Sequence, residues 1–199
     1  MKDQDRVEWP LIQLLNELLK PRGYRKMGKH WRKDAGDTVI ALVLHDLIGA
    51  GVFQIRFGAW LKAIEEMAFK DVKPVLCRTH LYMDLIDPCP NRLKIKILRA
   101  LHFHGDYLLA ATPGSGILDE ALEAALDEVD KNEPLTEEYR VEVVREAMED
   151  YAIPVMEGME TAAGLQSVLE EEALIKAASE DLFEHFGVPV PERCMLTLF

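Results

Sequence analysis

The sequence is poor in cysteine and has no long hydrophobic run. Its 199 residues include three cysteines, Cys77, Cys89 and Cys194, which cannot pair completely and do not have the spacing of a metal site. A disulfide-stapled secreted fold is therefore excluded, and a reducing cytosol is the expected compartment. No apolar stretch approaches the roughly 20 residues of a membrane-spanning helix. The first six residues lack the basic and apolar regions of a signal peptide, so we expect a cytoplasmic protein.

Sequence motifs for catalysis or cofactor binding are also missing. There is no Walker loop and no dinucleotide fingerprint, and Gly114-Ser115-Gly116 lacks the lysine and the glycine spacing of a phosphate-binding loop. No HExxH or CxxC pattern occurs. The sequence therefore predicts no catalytic residue, no metal ligand and no cofactor, although it does not decide whether the protein is an enzyme.

Scattered histidine, cysteine and aspartate residues leave a small enzyme or a metal-dependent protein open as an alternative. The candidate residues are His45, Asp46, Cys77, His80, His102, His104 and Asp106. Imidazole, thiolate and carboxylate groups are the ligands that zinc prefers, and a nucleophile needs a base beside it. This alternative requires that these groups meet in one concave pocket.

Basic residues are scarce in the second half of the chain. Residues 1–110 carry 18 basic and 13 acidic residues, whereas residues 111–199 carry 5 basic and 22 acidic residues. The formal net charge of −12 thus hides a mildly basic segment and a strongly acidic one. Solvated glutamate-rich helix faces are the simplest explanation, and a surface for a partner of opposite charge is the alternative.

Hydrophobic periodicity predicts a helix and then strands in the first part. Leucines at helical spacing indicate a helix over residues 9–19, which Pro21 and Gly23 end. Strands are predicted over residues 24–32, with Gly28 as a bulge, and over residues 38–44, 52–60 and 75–86. Residues 91–103 fit either a strand or a helix, and we favour a strand. Short turns predict an antiparallel meander.

The acidic part is predicted to be helical. Apolar stripes lie over residues 117–129, 137–152, 162–169 and 174–186, Thr136 and Thr161 are predicted N-caps, and Pro154 is expected to stop or kink a helix. Strands followed by helices indicate an α+β fold: an antiparallel sheet of four or five strands packed by an N-terminal helix and several C-terminal acidic helices. We expect the helix-and-sheet portion, residues 1–112, and the acidic portion, residues 113–199, to pack as one globular unit.

Positive charge and aromatic rings are concentrated between residues 22 and 33. The candidate binding residues are Arg22, Tyr24, Arg25, Lys26, Trp31 and Arg32. This composition is typical of single-stranded nucleic-acid sites and of protein interfaces. We favour a third interpretation, in which the segment packs beside the acidic helices and its charge is neutralised internally. The strongly acidic protein as a whole argues against nucleic acid.

The acidic helices predict a surface for another protein. Its candidate residues are Asp119, Glu120, Glu123 and Asp127. We therefore expect a non-enzymatic protein-binding or regulatory module whose basic partner engages residues 119–172, as in a bacterial toxin-neutralising module. The alternatives are the small enzyme or metal-dependent protein and a single-stranded nucleic-acid binder using residues 22–33. No membrane partner is expected, and the sequence leaves the oligomeric state open.

Several short segments occur in an order that resembles an uncharacterised bacterial family, a domain of unknown function. The segments are residues 18–26 (LLKPRGYRK), 30–32 (HWR), 53–58 (FQIRFG), 77–81 (CRTHL), 153–156 (IPVM) and 161–165 (TAAGL). The resemblance covers roughly residues 9–170 and implies an α+β domain without an established activity, so it brings no catalytic residue. The chain departs from the pattern after Leu81, where residues 86–99 are richer in lysine, and its acidic final helices are additional.

Overall fold

The first helix is longer than its leucine stripe predicts. The computed structural model describes residues 3–47, 52–66, 68–73, 79–101, 135–171 and 177–190. Helix α1 spans Asp3–Leu19 and includes Pro10, so it begins six residues before the predicted start. A 3-10 turn, Lys20–Arg22, and a left-handed Gly23 with φ of +87° end it, as predicted.

The sheet is antiparallel throughout, and its strands follow the order of the chain. The strands are β1 Arg25–Met27, β2 His30–Asp34, β3 Thr38–Leu47, β4 Val52–Leu61, β5 Leu81–Asp84 and the two-residue β6 Ala177–Ala178. Each pairs with the next. The predicted meander is confirmed, and β6 adds a short sixth strand.

The basic segment is a hairpin rather than one bulged strand. Strands β1 and β2 are joined by the two-residue turn Gly28-Lys29, with Met27 paired to His30. Gly28 has a φ of +66°, a conformation that glycine adopts without steric cost. The bulge predicted at Gly28 is therefore wrong, because the glycine reverses the chain instead.

Five helices of the described residues follow β5 along the chain, and two of them begin at predicted N-caps. The five are α2 Asn91–Leu101, α3 Glu137–Ala147, α4 Ile153–Gly158, α5 Ala162–Glu170 and α6 Glu180–Phe186. Thr136 accepts a hydrogen bond from the amide of Tyr139 at 3.2 Å, and Thr161 accepts one from Gly164 at 3.0 Å. Both predicted N-caps are confirmed. The helix predicted over residues 117–129 lies outside the described residues.

The strand favoured for residues 91–103 is wrong, because residues 91–101 form helix α2. In this helix Leu93, Ile97 and Ala100 share a buried face that packs against α3. Arg140 of α3 donates hydrogen bonds to the carbonyls of Arg99 and Ala100, at 2.9 and 3.1 Å. These bonds satisfy carbonyls that a helix end leaves without intrahelical partners.

Two further expectations for the acidic part need correction. Ala177 and Ala178 form β6 instead of the start of the last helix, because they pair with Tyr82 and Leu81 of β5. The helix begins only at Glu180 and ends at the left-handed Gly187. Pro154 does not stop its helix: a π-helical turn, Met148–Ala152, links α3 to α4. The wider turn is a known way to accommodate a break in the ladder of helical hydrogen bonds.

The two faces of the sheet differ in what covers them. The face we call the helix face carries Trp31, Leu42, Phe57 and Met83, which pack in one hydrophobic cluster with residues of the helices. On the other side, the opposite face, a small cluster of Val39, Ala41, Trp60 and Val72 is buried. The remaining strand residues of the opposite face are mostly polar. The polar ones are Arg25, His30, Arg32, Asp34, His45, Gln54, Arg56, Tyr82 and Asp84.

Candidate functional site

The two aromatic residues predicted to bind a ligand are part of the core. Trp31 is 1% exposed, and its Nε1 donates a hydrogen bond to Oδ1 of Asn16 at 2.9 Å. Tyr24 is buried, and burial, with the charges of Glu160 and Glu157 adding to it, raises the pKa of its phenol. Neither ring presents a free face on which a nucleobase could stack.

Two cations of the basic segment, Arg22 and Lys33, are paired with acids. Nε of Arg22 lies 3.3 Å from a carboxylate oxygen of Glu157. Lys33 forms an ion pair and a hydrogen bond with Glu160, and its ammonium lies 5.8 Å from the centre of the Tyr24 ring. Both acids follow the π-helical turn, so α4 and its end supply the counter-charges. These are the contacts that internal neutralisation requires.

The tip of the hairpin is exposed. Arg25, Lys26 and Met27 are all exposed, with Met27 at 41%. The ammonium of Lys26 lies 5.8 Å from the centre of the Trp31 ring, which is within range of a cation–π contact. The tip thus presents two cations and one large apolar side chain, on a hairpin fixed to the core by Trp31.

Arg32 is the least expected member of the predicted set. It is 2% exposed, its Nη1 contacts the sulfur of Met27 at 2.7 Å, and its Nε has no hydrogen-bond partner. Burial lowers the pKa of its guanidinium, and the charge of Asp71 acts in the other direction. No carboxylate of the described residues forms an ion pair with Arg32. The cation predicted to bind a ligand at the surface is therefore buried.

A second polar group lies on the opposite face, on β4 and β5. Nε of Arg56 lies 2.7 Å from Oδ1 of Asp84, and Gln54 donates to the same oxygen at 3.0 Å. The amide of Asp84 donates to Asp87 at 2.6 Å, and Arg56 lies 5.4 Å from the centre of the Tyr82 ring. Because Asp84 is buried, the group acts as a fixed ion pair rather than as a set of free acids and bases.

A small cavity adjoins this ion pair. Its volume is about 80 Å³, and Phe53, Ile55 and Leu101 are among the apolar residues that line it beside Gln54 and Asp84. Oε1 of Gln54 is buried and has no hydrogen-bond partner. The space is below the several hundred cubic ångströms typical of pockets for organic substrates.

The two described histidines of the enzyme alternative, His45 and His80, lie far apart. Nδ1 of His80 accepts a hydrogen bond from the amide of Leu61 at 3.0 Å, and its ring stacks on Trp60 at 3.9 Å. His45 instead pairs with Gln54 of β4. Gln54 and Leu61 are seven residues apart on that strand, which is roughly 23 Å at the usual rise of a strand. The other candidates, Cys77, His102, His104 and Asp106, lie outside the described residues.

Burial gives His80 a structural role. It lowers the pKa of the imidazole from 6.5 to about 4, while the nearby Asp181 raises it and His185 lowers it. Among the residues that the structure describes, no group of three or more histidine, cysteine and acidic side chains could hold a metal ion. Likewise, no helix in the described ranges is long and apolar enough to cross a membrane.

The predicted acidic partner face lies outside the described residues, since Asp119, Glu120, Glu123 and Asp127 fall between residues 102 and 134.

Within the described helices, Arg145 of α3 is surrounded by acids. Its guanidinium lies 2.9 Å from Glu17 of α1, 3.8 Å from Glu142 and 3.9 Å from Glu149. Part of the acidic charge of α3 is therefore neutralised within the molecule.

Sequence reasoning missed the Arg56–Asp84 ion pair and the burial of Arg32. Alternation along residues 53–58 predicts one polar side for β4, so Gln54 and Arg56 could be placed on one face. Their contact with Asp84 depends on the register of β5, which pairs Asp84 with Arg56. No local pattern carries that information.

Comparison of the chain with protein-family models, with curated proteins and with solved structures found no match. The resemblance to a domain of unknown function therefore stays a prediction. Any function must be argued from the surfaces and the buried polar groups described above.

Proposed function

We propose that this protein is a non-enzymatic protein-binding module and that the tip of the β1–β2 hairpin is its contact surface. One observation carries the proposal: Met27 is 41% exposed beside the exposed cations Lys26 and Arg25, at the end of a hairpin fixed to the core by Trp31. An exposed apolar side chain framed by cations suits an acidic partner surface with an apolar centre.

The rigidity of the hairpin supports this proposal. Trp31 hydrogen-bonds to α1, and Lys33 is tied to Glu160 near α4. A surface whose backbone is held by buried contacts loses little conformational entropy on binding. A tip without such contacts would have to be ordered at the expense of affinity.

The acidic helices would be a second protein-binding surface, separate from the hairpin tip. A basic partner for residues 119–172, with Asp119, Glu120, Glu123 and Asp127 as contacts, stays a prediction. So does a regulatory role of the toxin-neutralising kind. The described acids near Arg22, Lys33 and Arg145 are paired within the molecule, which leaves less charge for a partner there.

The test compares which cellular proteins are captured by the wild type and by two variants, and then measures the binding of one captured protein directly. The wild type is compared with a tip variant carrying Arg25→Glu, Lys26→Glu and Met27→Asp. The matched control carries Lys20→Glu, Arg92→Glu and Tyr139→Asp, which change two exposed cations and one exposed large side chain elsewhere. Circular dichroism checks that both variants fold.

We expect proteins that the wild type and the control retain at 0.15 M salt to be lost from the tip variant. One such protein is then purified, and its affinity should fall at least tenfold with the tip variant, which corresponds to about 1.4 kcal/mol. Equal capture by all three proteins would show that the tip is not the contact surface.

A further inference from the structure

The guanidinium of Arg32 is a buried charge that forms no ion pair with any described carboxylate. Buried arginines in proteins are normally paired with carboxylates or satisfied by several acceptors. Arg32 is 2% exposed, yet its Nε has no partner and its Nη1 meets only the sulfur of Met27. A thioether is a weak acceptor, so this contact replaces little of the hydration that the guanidinium loses.

The neighbours of Arg32 increase the positive charge. The strand register places Arg25 directly opposite Arg32, so the two guanidinium groups extend from one face of the sheet. Like charges at directly opposed positions destabilise a sheet. His30, two residues from Arg32 on the same strand, shares this face. Burial lowers the pKa of its imidazole, and the charges of Arg32 and Lys73 lower it further. Among the described acids, Asp71 is the one whose charge acts on the guanidinium of Arg32.

We propose that Arg25 and Arg32 form a binding site for a small oxyanion, a carboxylate or a phosphate group, with the side chain of Met27 as its removable cover. Two guanidinium groups offer planar pairs of donors that match the oxygens of such an anion. The anion would supply the acceptors that Arg32 lacks and would separate two like charges. This site takes a small ion rather than a protein, and it shares Arg25 and Met27 with the contact surface proposed for the hairpin tip.

Met27 is suited to act as a cover. It shares the face of Arg32, lies diagonally across the β1–β2 ladder from it, and is 41% exposed, so its side chain has solvent to move into. Methionine has three rotatable bonds and adapts readily to a new contact. Rotation of Met27 therefore frees Nη1 of Arg32 from its contact with the sulfur without moving the backbone.

The direct test observes the arginine side chains of the full chain by nuclear magnetic resonance. The Nε–H signals are followed while inorganic phosphate, acetate or chloride is added at constant ionic strength. We expect the Arg32 and Arg25 signals to shift with saturation in phosphate, in acetate or in both, and not in chloride. A response to phosphate alone identifies a phosphate site, and a response to acetate identifies a site open to carboxylates. Absence of a saturable response to either oxyanion overturns the proposal.

Variants separate the site from general charge effects. Arg25→Gln should weaken oxyanion binding about tenfold, the loss of one charge-assisted contact, whereas Arg145→Gln, a change of the same kind on α3, should leave it unchanged. Met27→Ala should strengthen binding severalfold, because the cover is removed. Equal affinities for the Arg25→Gln and Arg145→Gln proteins would contradict the site.

Arg32→Met tests whether the charge is uncompensated in the ligand-free protein. Methionine keeps the length and volume of the buried stem and removes the charge, and replacing an unpaired buried charge in this way is expected not to lower Tm in chloride buffer. Phosphate or acetate should raise the Tm of the wild type and leave that of Arg32→Met unchanged. An equal rise in both proteins overturns the proposal. If Arg32→Met does not fold, the comparison of Arg25→Gln with Arg145→Gln decides.

Discussion

Arg32 and Lys33 are adjacent in the sequence, yet the sheet gives their charges opposite surroundings. Lys33 is on the helix-face side, where it forms an ion pair with Glu160 and contacts the Tyr24 ring. Arg32 is on the opposite face, where no described acid forms an ion pair with it and Met27 covers it. Because successive side chains of a strand alternate between faces, one basic segment is divided into a neutralised half and an unneutralised half.

The comparison changes the meaning of the acidic composition. A net charge of −12 suggests that acidic side chains repel one another and that an external partner is needed to neutralise them. On the helix face, however, Glu157 and Glu160 have internal partners in Arg22 and Lys33. The described group whose charge is left uncompensated is a cation on the other side of the sheet. Judged by composition alone, the acidic residues rather than this cation would be expected to need an external ligand.

The helix face should be the more sensitive to loss of apolar volume. Trp31→Ala removes a 1%-exposed ring from the main core cluster and its hydrogen bond to Asn16. We expect the free energy of unfolding to fall by about 3–5 kcal/mol, measured by urea denaturation. Lys26→Ala, at the exposed position directly opposite Trp31, should change it by less than about 1 kcal/mol, the usual value of an exposed cation–π contact. Similar losses for both variants would mean that the hairpin is not fixed by its tryptophan.

The opposite face should be most sensitive at its closest backbone approach. A methyl group at Gly58 would collide with the carbonyl oxygen of Leu81 on β5, so Gly58→Ala must push the two strands apart. We expect a loss of about 1–3 kcal/mol, the usual cost of overpacking, in the same denaturation experiment. Gly158→Ala is the matched control, because a methyl group there meets nothing within 4 Å. If both glycine variants keep wild-type stability, β4 and β5 are less tightly paired than the structure has them.

His80 makes the opposite face sensitive to acid. Its pKa is about 4 in the folded protein and 6.5 in an ordinary environment, so the unfolded chain binds more protons between these values. Stability from the neutral imidazole is complete above pH 6.5 and is lost as the pH falls towards 4. Protonation at Nδ1 also removes the acceptor of the Leu61 amide. We expect a loss of about 1–2 kcal/mol, since solvent screening reduces the full effect of the shift.

The measurement is the free energy of unfolding at several pH values between 7 and 4, for the wild type and for His80→Gln. The glutamine amide oxygen can still accept the hydrogen bond from Leu61, but it does not titrate. The variant should therefore show a smaller change over this interval. Parallel curves for the two proteins would assign the acid sensitivity to other groups.

The parts of the fold that could be predicted are those whose signals are local. Thr136 and Thr161 cap helices because a hydroxyl three residues before a free amide is sufficient. The continuous apolar run starting at Thr38 predicts a central strand, and β3 is paired on both sides. These features depend on neighbours within a few residues.

The parts that could not be predicted depend on distant partners. Leu93, Ile95 and Ile97 fit a period of two as well as a helix, and α2 is selected by its packing on α3. Ala178 has a strong helical preference, but its place is set by pairing with Leu81, almost 100 residues away. The burial of Arg32 follows from the turn at Gly28, which fixes the register of β1 on β2. Composition identified residues 22–33 as notable without showing which face each cation would occupy.

The smallest expected effect tests the neutralised half of the hairpin directly. A double-mutant cycle with Lys33→Met and Glu160→Gln measures the coupling between two side chains that are each 24% exposed. We expect about 1 kcal/mol, because the pair is shielded from solvent by its position beside Tyr24. The reference cycle, Arg145→Met with Glu17→Gln, concerns a pair in which Glu17 is 63% exposed, and its coupling should stay below about 0.5 kcal/mol. A Lys33–Glu160 coupling no larger than the reference would leave Lys33 as weakly compensated as Arg32, and the contrast between the two faces would then concern burial rather than charge.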